Sequence, residues 1–237
     1  MAETADAIIE ELKTLGHASI KKVLLNHGAQ EPLFGVKVED LKKIQKRIKQ
    51  DYQLALDLFA TGIYDAMYLA GLIADDQRMT KRDLQRWLKQ APRTLSCGST
   101  VPWVTAGSKF GRELALEWID SKQESSAAAG WATLSSLVSI QDDSELDLDE
   151  LRQLLQRVQQ TIHSEPNEVR SSMNGFVISL GTYVKDLTEL AIQAGTVIGK
   201  VSVDKGKTEC KVPDAVAYIQ KAQQRGTIGK KRKSAKC

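Results

Sequence analysis

The chain has 237 residues, of which 42% are hydrophobic and 27% charged, and its net charge of +3 is typical of a globular protein. No apolar run approaches the roughly 18 residues of a membrane-spanning helix, and the acidic, amphipathic N-terminus is neither a signal nor a transit peptide, so we expect a cytoplasmic protein without membrane contact. The cysteines Cys97, Cys210 and Cys237 lack the spacing of a disulfide framework or a zinc site, which predicts reduced thiols, no metal and no cofactor.

The 3.6-residue spacing of apolar side chains predicts helices along almost the whole chain. The pattern is clear in ELDLDELRQLLQRVQQTI, where one stripe contains Leu148, Leu151, Leu155, Val158 and Ile162. Further helices are predicted at about 4–15, 19–27, 38–49, 52–62, 64–75, 80–90, 111–121, 125–140, 166–184, 187–198 and 213–224. The connections are short, so neighbouring helices should run antiparallel. This organisation favours an all-α, HEAT-like solenoid of antiparallel helical pairs, with a compact bundle as the alternative.

Two segments near the C-terminus depart from the helical pattern. KVSVDKGKTECKV alternates apolar and polar residues around Lys205-Gly206, which predicts a small β-hairpin at about 200–212. Six positive residues and no acid follow from Arg225 onward, so the rest of the chain carries a net charge of −3. We therefore predict one helical domain over residues 1–226 and a basic, flexible tail over 227–237. Such a tail either binds phosphates or keeps the protein soluble.

Several stretches, in order, resemble the AlkD-type DNA alkylation repair glycosylases. They are LFGVKVEDLKKIQKRI, ALDLFATGIYDAMYLAGLIAD, VPWVTAGSKFGRELALEWI, ESSAAAGWATLSSLV and NEVRSSMNGFVISLG, and the resemblance covers about residues 33 to 200. The resemblance implies a solenoid of HEAT-like pairs whose concave, basic face holds duplex DNA, in agreement with the helical pattern.

The resemblance also implies which residues form the site. Trp103, in a Pro-led stretch that reads as a loop, matches the aromatic residue of the family's W-x-x-x-D pattern, but Gly107 occupies the position of the aspartate. The helix that carries the family's arginine has Gly130 and Trp131 and no basic residue there. Phe176 matches the second aromatic residue. The aromatic walls are thus retained and the charged pair is missing.

These matches lead to a set of candidate DNA-binding residues. Besides the aromatic residues Trp103 and Phe176, the positive side chains expected to contact phosphates are Lys109, Arg112, Arg170, Lys230, Lys231, Arg232 and Lys233. A substitute for the missing aspartate would be a nearby acid, and Glu113 is the weak candidate; its spacing to Glu117 is more typical of a solvated helix face.

Three functions remain open from the sequence. The first is a monomeric protein that binds duplex DNA without excising alkylated purines. The second is an active alkylpurine glycosylase with a rearranged site. Its site would have to be rearranged because the reaction needs a nearby carboxylate to stabilise the cation-like sugar, and the family's aspartate is missing. The third is a scaffold that binds a protein partner through its HEAT-like surface.

Overall fold

In the computed structural model, which describes residues 3–204 and 211–236, most of the described residues are helical. The α-helices of these residues are α1 (Ala5–Thr14), α2 (Ala18–Asn26), α3 (Val38–Ile48), α4 (Tyr52–Ala60), α5 (Tyr64–Ile73), α6 (Lys81–Gln90), α7 (Arg93–Cys97), α8 (Thr100–Gly107), α9 (Gly111–Ile119), α10 (Glu124–Ile140), α11 (Leu148–Thr161), α12 (Asn167–Tyr183), α13 (Thr188–Ile198) and α14 (Ala215–Gln224). Short 3-10 turns cover Asp143–Glu145, Ile162–Ser164 and Lys185–Leu187. The predicted all-α class is confirmed.

Local sequence explains where several of these helices begin. The side chains of Thr4, Asp51, Asp147 and Asp214 each accept a hydrogen bond from a backbone N–H in the first turn of the following helix. Thr80 forms a complete capping box with Asp83 at the start of α6. Because the first N–H groups of a helix have no partner within it, each such cap stabilises the helix by about 1 kcal/mol.

The contacts group the described residues into two compact units. The first unit contains residues 3–109 and Lys236, and the second contains residues 110–204 and 211–235. Within each unit, helices that follow one another in sequence pack together, as do α4 with α5 in the first unit and α9 with α10 or α12 with α13 in the second. This is the pairing that short connections predict.

The first unit is built around α5, whose side chains are buried on nearly every face. It packs against α1, α3, α4 and α8. Beside it, the rings of Phe59 and Trp87 stack with centroids 4.0 Å apart, and both are almost fully buried. The buried carboxylate of Asp65 accepts hydrogen bonds from the backbone of the FGV stretch at residues 34–36.

The second unit is built around α10 and α12, and small residues allow α9 to approach α10 closely. A Cβ added at Gly130 would lie 2.6 Å from the backbone nitrogen of Ile119 and 2.8 Å from the carbonyl oxygen of Ala115. The small residues of the ESSAAAG stretch are therefore a packing seam between two helices. Further along α10, Trp131 is fully buried, and its ring centroid lies 5.3 Å from that of Phe176.

We expect Gly130→Ala to destabilise the second unit, although alanine is the better helix former by about 1 kcal/mol. The added methyl group meets backbone atoms of α9, which cannot rotate away, and overpacking of this kind costs about 1–3 kcal/mol. Gly175→Ala is the matched control, because it lies inside α12 and its Cβ would meet no atom within 4 Å. Urea unfolding should show a loss for the first variant and no loss for the second. A gain in stability at both positions would contradict the close approach.

The predicted β-hairpin at about 200–212 is not supported. Its flanks at 200–204 and 211–212 form no strand, and residues 205–210 lie outside the described residues. In the first flank the backbone N–H of Asp204 donates to Asn167 Oδ1 at 2.7 Å, and Asn167 Nδ2 donates to the Asp204 carbonyl at 2.9 Å. A side chain of α12 thus satisfies the backbone groups that a strand partner would otherwise satisfy.

Candidate nucleic-acid interface

The VPWVTAG stretch, expected to be a loop, forms most of α8 in the first unit. Proline is tolerated there because Pro102 lies in the first turn, where a backbone N–H has no acceptor within the helix. Trp103 is half-buried, and its indole meets the ring of Tyr68 on α5 edge to face, with centroids 5.6 Å apart. The Trp103 indole therefore has a fixed orientation and keeps part of its surface accessible.

A carboxylate lies against Gly107, one helical turn from Trp103, where the resemblance implies an aspartate. A Cβ added at Gly107 would contact the Asp76 carboxylate, with its carbon 2.9 Å from the Asp76 Cγ. Trp103 and Gly107 are four residues apart on α8 and so share one helix face. The loop after α5 is held in place here because Gln77 Nε2 donates to the Gly107 carbonyl at 2.7 Å. Asp76 thus brings a carboxylate to the position of the side chain that residue 107 lacks.

Lys236 neutralises this carboxylate. Its Nζ lies 2.7 Å from Asp76 Oδ1 and also donates to the carbonyl of Ala74 at 2.6 Å. The Lys236 and Asp76 side chains are only 10% and 18% exposed. Burial raises the pKa of Asp76 from 3.8 to about 6, against the opposing effect of the Lys236 ammonium; the nearby Asp75 raises it slightly further. The site therefore contains a buried ion pair one helical turn from the partly exposed Trp103.

The sequence pattern did not reveal Asp76, because Asp76 lies in the loop between α5 and α6, whereas the position that its carboxylate occupies belongs to Gly107 on α8. Glu113, the candidate substitute, is exposed on α9 in the second unit. An exposed carboxylate is hydrated and stabilises a nearby positive charge far less than one in a partly desolvated site. Asp76 is accordingly the better-placed carboxylate.

The second predicted aromatic wall, Phe176, is a core residue. Its side chain has no exposed surface, and it packs against the equally buried Trp131. The Arg157 guanidinium lies 5.6 Å from the centroid of the Trp131 ring. The prediction that Phe176 contacts DNA is therefore wrong for this structure, because the α10–α12 contact encloses the ring completely.

The predicted phosphate contacts on the helices differ in their surroundings. Lys109 is exposed at the end of the first unit. In the second unit, Arg112 is engaged by Glu150, to which its Nε donates at 3.0 Å and its Nη2 also donates. Arg170 is half-buried on α12, and its Nη2 donates to Asn167 at 3.5 Å. Lys109 and Arg112 are thus both exposed, whereas Arg170 is partly enclosed.

The basic segment after residue 226, expected to be a flexible tail, makes contacts along its length. The backbone N–H of Gly229 donates to the Thr182 carbonyl at 2.9 Å, and that of Arg232 donates to the Ser139 carbonyl at 2.8 Å. Lys231 Nζ lies 2.7 Å from Asp143 Oδ1 and donates to the Val138 carbonyl. Backbone and side-chain partners therefore hold the segment, while the side chains of Lys230, Arg232 and Lys233 are exposed.

Comparison with known proteins identifies the family of the chain. The family model described as "DNA alkylation repair enzyme" matches residues 8–219, which is nearly the whole chain. The chain belongs to the DNA alkylation repair enzyme family. The resemblance of its helical stretches to that family is thus confirmed.

Two proteins of Listeria are similar to this chain over nearly their full length. The chain is 37% identical to Lin0241 of Listeria innocua and 36% identical to Lmo0209 of Listeria monocytogenes, in each case over 94% of this chain and 98% of the relative. A solved structure matches with a TM-score of 0.91 and 34% identity, over 99% of this chain and 100% of the other. The protein in that structure is described as belonging to a new family of proteins related to the HEAT-like repeat DNA glycosylases, with affinity for branched DNA structures. The HEAT-like architecture of this family member follows from that match. Among its described residues, no helix is long and apolar enough to cross a membrane.

Proposed function

We propose that this protein binds DNA, with a preference for branched structures, and does not excise alkylated purines by the family's usual chemistry. The observation that carries the DNA-binding proposal is the full-length likeness to a structure whose protein has affinity for branched DNA. The exposed cations Lys109, Lys230 and Lys233 and the accessible indole of Trp103 support it. We take the protein to act as a monomer in the cytoplasm.

The site argues against the usual excision. Departure of a purine leaves a cation-like sugar, which a carboxylate in a partly desolvated site stabilises. The Asp76 carboxylate is paired with the Lys236 ammonium, so most of its field is cancelled before a substrate arrives. On α10, the helix where the resemblance implies an arginine, there is no basic residue, and at Gly130 α9 leaves no space for a side chain.

Binding of a fluorescent four-way junction across a salt series tests the proposal, with a linear duplex of equal length as the comparison. We expect the wild-type protein to bind the junction more tightly, and affinity to fall with salt because phosphate neutralisation releases counterions. Trp103→Ala should weaken junction binding about 5- to 100-fold if a base stacks on the indole. Val197→Ala, which alters an exposed residue of α13, should leave binding unchanged.

Two results would count against this proposal. Equal affinity for junction and duplex would remove the preference for branched DNA. Absence of binding at low salt would reject DNA as the partner and favour the alternative of a protein-binding scaffold.

The position of Asp76 favours one second candidate, an alkylpurine glycosylase with a rearranged site. In that case release of Lys236 would uncover the Asp76 carboxylate at Gly107. At a pH above the raised pKa of Asp76, where its carboxyl is ionised, Lys236→Gln should then release more free 3- or 7-methylpurine from methylated DNA than the wild-type protein does. The double variant with Asp76→Asn should lose that activity. No release by the wild type or by Lys236→Gln over long incubation would exclude this candidate.

A further inference from the structure

A cleft in the second unit lies between α12 and α14, away from the predicted site residues on those helices. Its volume is about 450 Å³, within the range of small-molecule sites and large enough for one nucleotide. The lining residues are Ile178, Ser179, Thr182, Tyr183, Tyr218, Lys221, Ala222, Arg225 and Thr227. This lining contains two tyrosines, two cations and three hydroxyl side chains, and no acid.

The aromatic and positive groups form one stripe along α14. Tyr218, Lys221 and Arg225 follow one another at spacings of three and four residues, so they lie on the same helix face. Tyr218 is 56% exposed, so much of its surface is open to a ligand. The stripe therefore presents a ring for stacking next to two positive charges.

The walls of the cleft are held in place. Ile219 is fully buried and packs against Gly181 of α12, where a Cβ would displace it. At the end of α14, the Thr227 backbone N–H donates to the Ala222 carbonyl at 3.0 Å, and the Gly229 N–H donates to the Thr182 carbonyl at 2.9 Å. A pre-formed cleft loses little conformational entropy when a ligand enters.

We propose that this cleft binds one unpaired nucleotide of DNA, with its base stacked on Tyr218 and its phosphate beside Lys221 and Arg225. This proposal rests on the proposed DNA-binding function. In a branched DNA structure, the unpaired nucleotide is the part that binds in the cleft. Unpaired bases are accessible at a branch point and buried by stacking in an intact duplex. Aromatic rings beside a positive groove are the features by which proteins bind single-stranded nucleic acid. An anion without an aromatic ring would contact Lys221 and Arg225 but would not stack on the tyrosines, so a nucleotide fits this lining better.

The test compares two four-way junctions of equal length, one fully paired and one with two unpaired thymidines at the branch point. The wild-type protein should bind the junction with unpaired nucleotides more tightly. Tyr218→Ala should weaken that binding about 5- to 100-fold, the effect of losing one stacked base, and should remove the difference between the two junctions. Tyr218→Phe keeps the ring and should retain most of the affinity. Lys221→Gln should weaken binding and reduce the salt dependence.

The outcomes separate this inference from the function on which it rests. If the wild type binds the fully paired junction and Tyr218→Ala binds both junctions as the wild type does, the cleft proposal is rejected and the DNA-binding proposal stands. A loss in Lys221→Gln with none in Tyr218→Ala also rejects it, because a phosphate contact alone would then suffice. Circular dichroism of each variant should match the wild type, and Val197→Ala again serves as the control on an exposed surface of the same unit.

Discussion

Replacing Asp65 with alanine is expected to lower the free energy of unfolding by about 4 kcal/mol or more, the largest effect of any substitution considered for this protein. The Asp65 side chain is 1% exposed at the start of α5. Its Oδ2 accepts from the N–H of Phe34 at 2.6 Å and, more weakly, of Gly35 at 3.4 Å, and its Oδ1 accepts from Val36 at 2.8 Å. Alanine would leave these buried donors without a partner, at about 1–3 kcal/mol for each.

The size of this effect depends on the backbone that Asp65 holds. Gly35 has a φ of +81°, and a Cβ there would also meet the backbone of Lys21. The FGV stretch therefore takes a conformation that needs glycine, and the Asp65 carboxylate secures it against α5. Asp65→Asn preserves the shape and one acceptor oxygen, so a smaller loss of stability is expected.

Urea unfolding followed by circular dichroism measures both variants. Asp57→Ala is the control, because Asp57 is an exposed acid of α4 and its replacement should change stability by no more than about 0.5 kcal/mol. An Asp65→Ala protein that unfolds at the same urea concentration as the wild type would show that the three N–H groups find other acceptors.

The second large effect is a pH-dependent one at Asp76. Because its pKa is raised from 3.8 to about 6 in the folded protein, the folded state holds this proton more tightly than the unfolded state does. That contribution to stability is complete below pH 3.8 and is lost as the pH rises through about 6. Asp76→Asn carries no such proton. Relative to the wild type, the variant should therefore gain up to about 3 kcal/mol of stability between pH 4 and pH 7.

Lys236 provides an independent check on the same ion pair. Its ammonium lowers the pKa of Asp76, so Lys236→Gln should move that pKa above its wild-type value of about 6. The chemical shift of the Asp76 carboxyl carbon, followed by NMR across pH 4 to 8, reports the change directly. Lys233→Gln removes an exposed charge from the same segment and should leave the titration where it is. An unchanged pKa in Lys236→Gln would mean that Lys236 does not pair with Asp76 in solution.

The amino-acid sequence by itself determined the helical architecture and the family. Apolar periodicity is a local property, because residues three and four apart share a helix face whatever else the chain does. It therefore located helices such as α11 and α12, and short connections indicated how neighbours pair. Alternation of apolar and polar residues predicted a β-hairpin near residue 200, and that prediction is not supported. There the Asn167 side chain, and not a neighbouring strand, forms the hydrogen bonds of the Asp204 backbone N–H and carbonyl.

Only the tertiary structure decided the chemistry of the site, because that depends on residues far apart in sequence. Asp76 reaches the empty side-chain position of Gly107 from another element, and Lys236 pairs with Asp76 from near the other end of the chain. Phe176 matched an aromatic position in the sequence, yet contact with α10 buries it completely. Sequence spacing specifies which face of a helix a side chain occupies. Packing between elements then decides whether that face meets solvent, a counter-charge or the core.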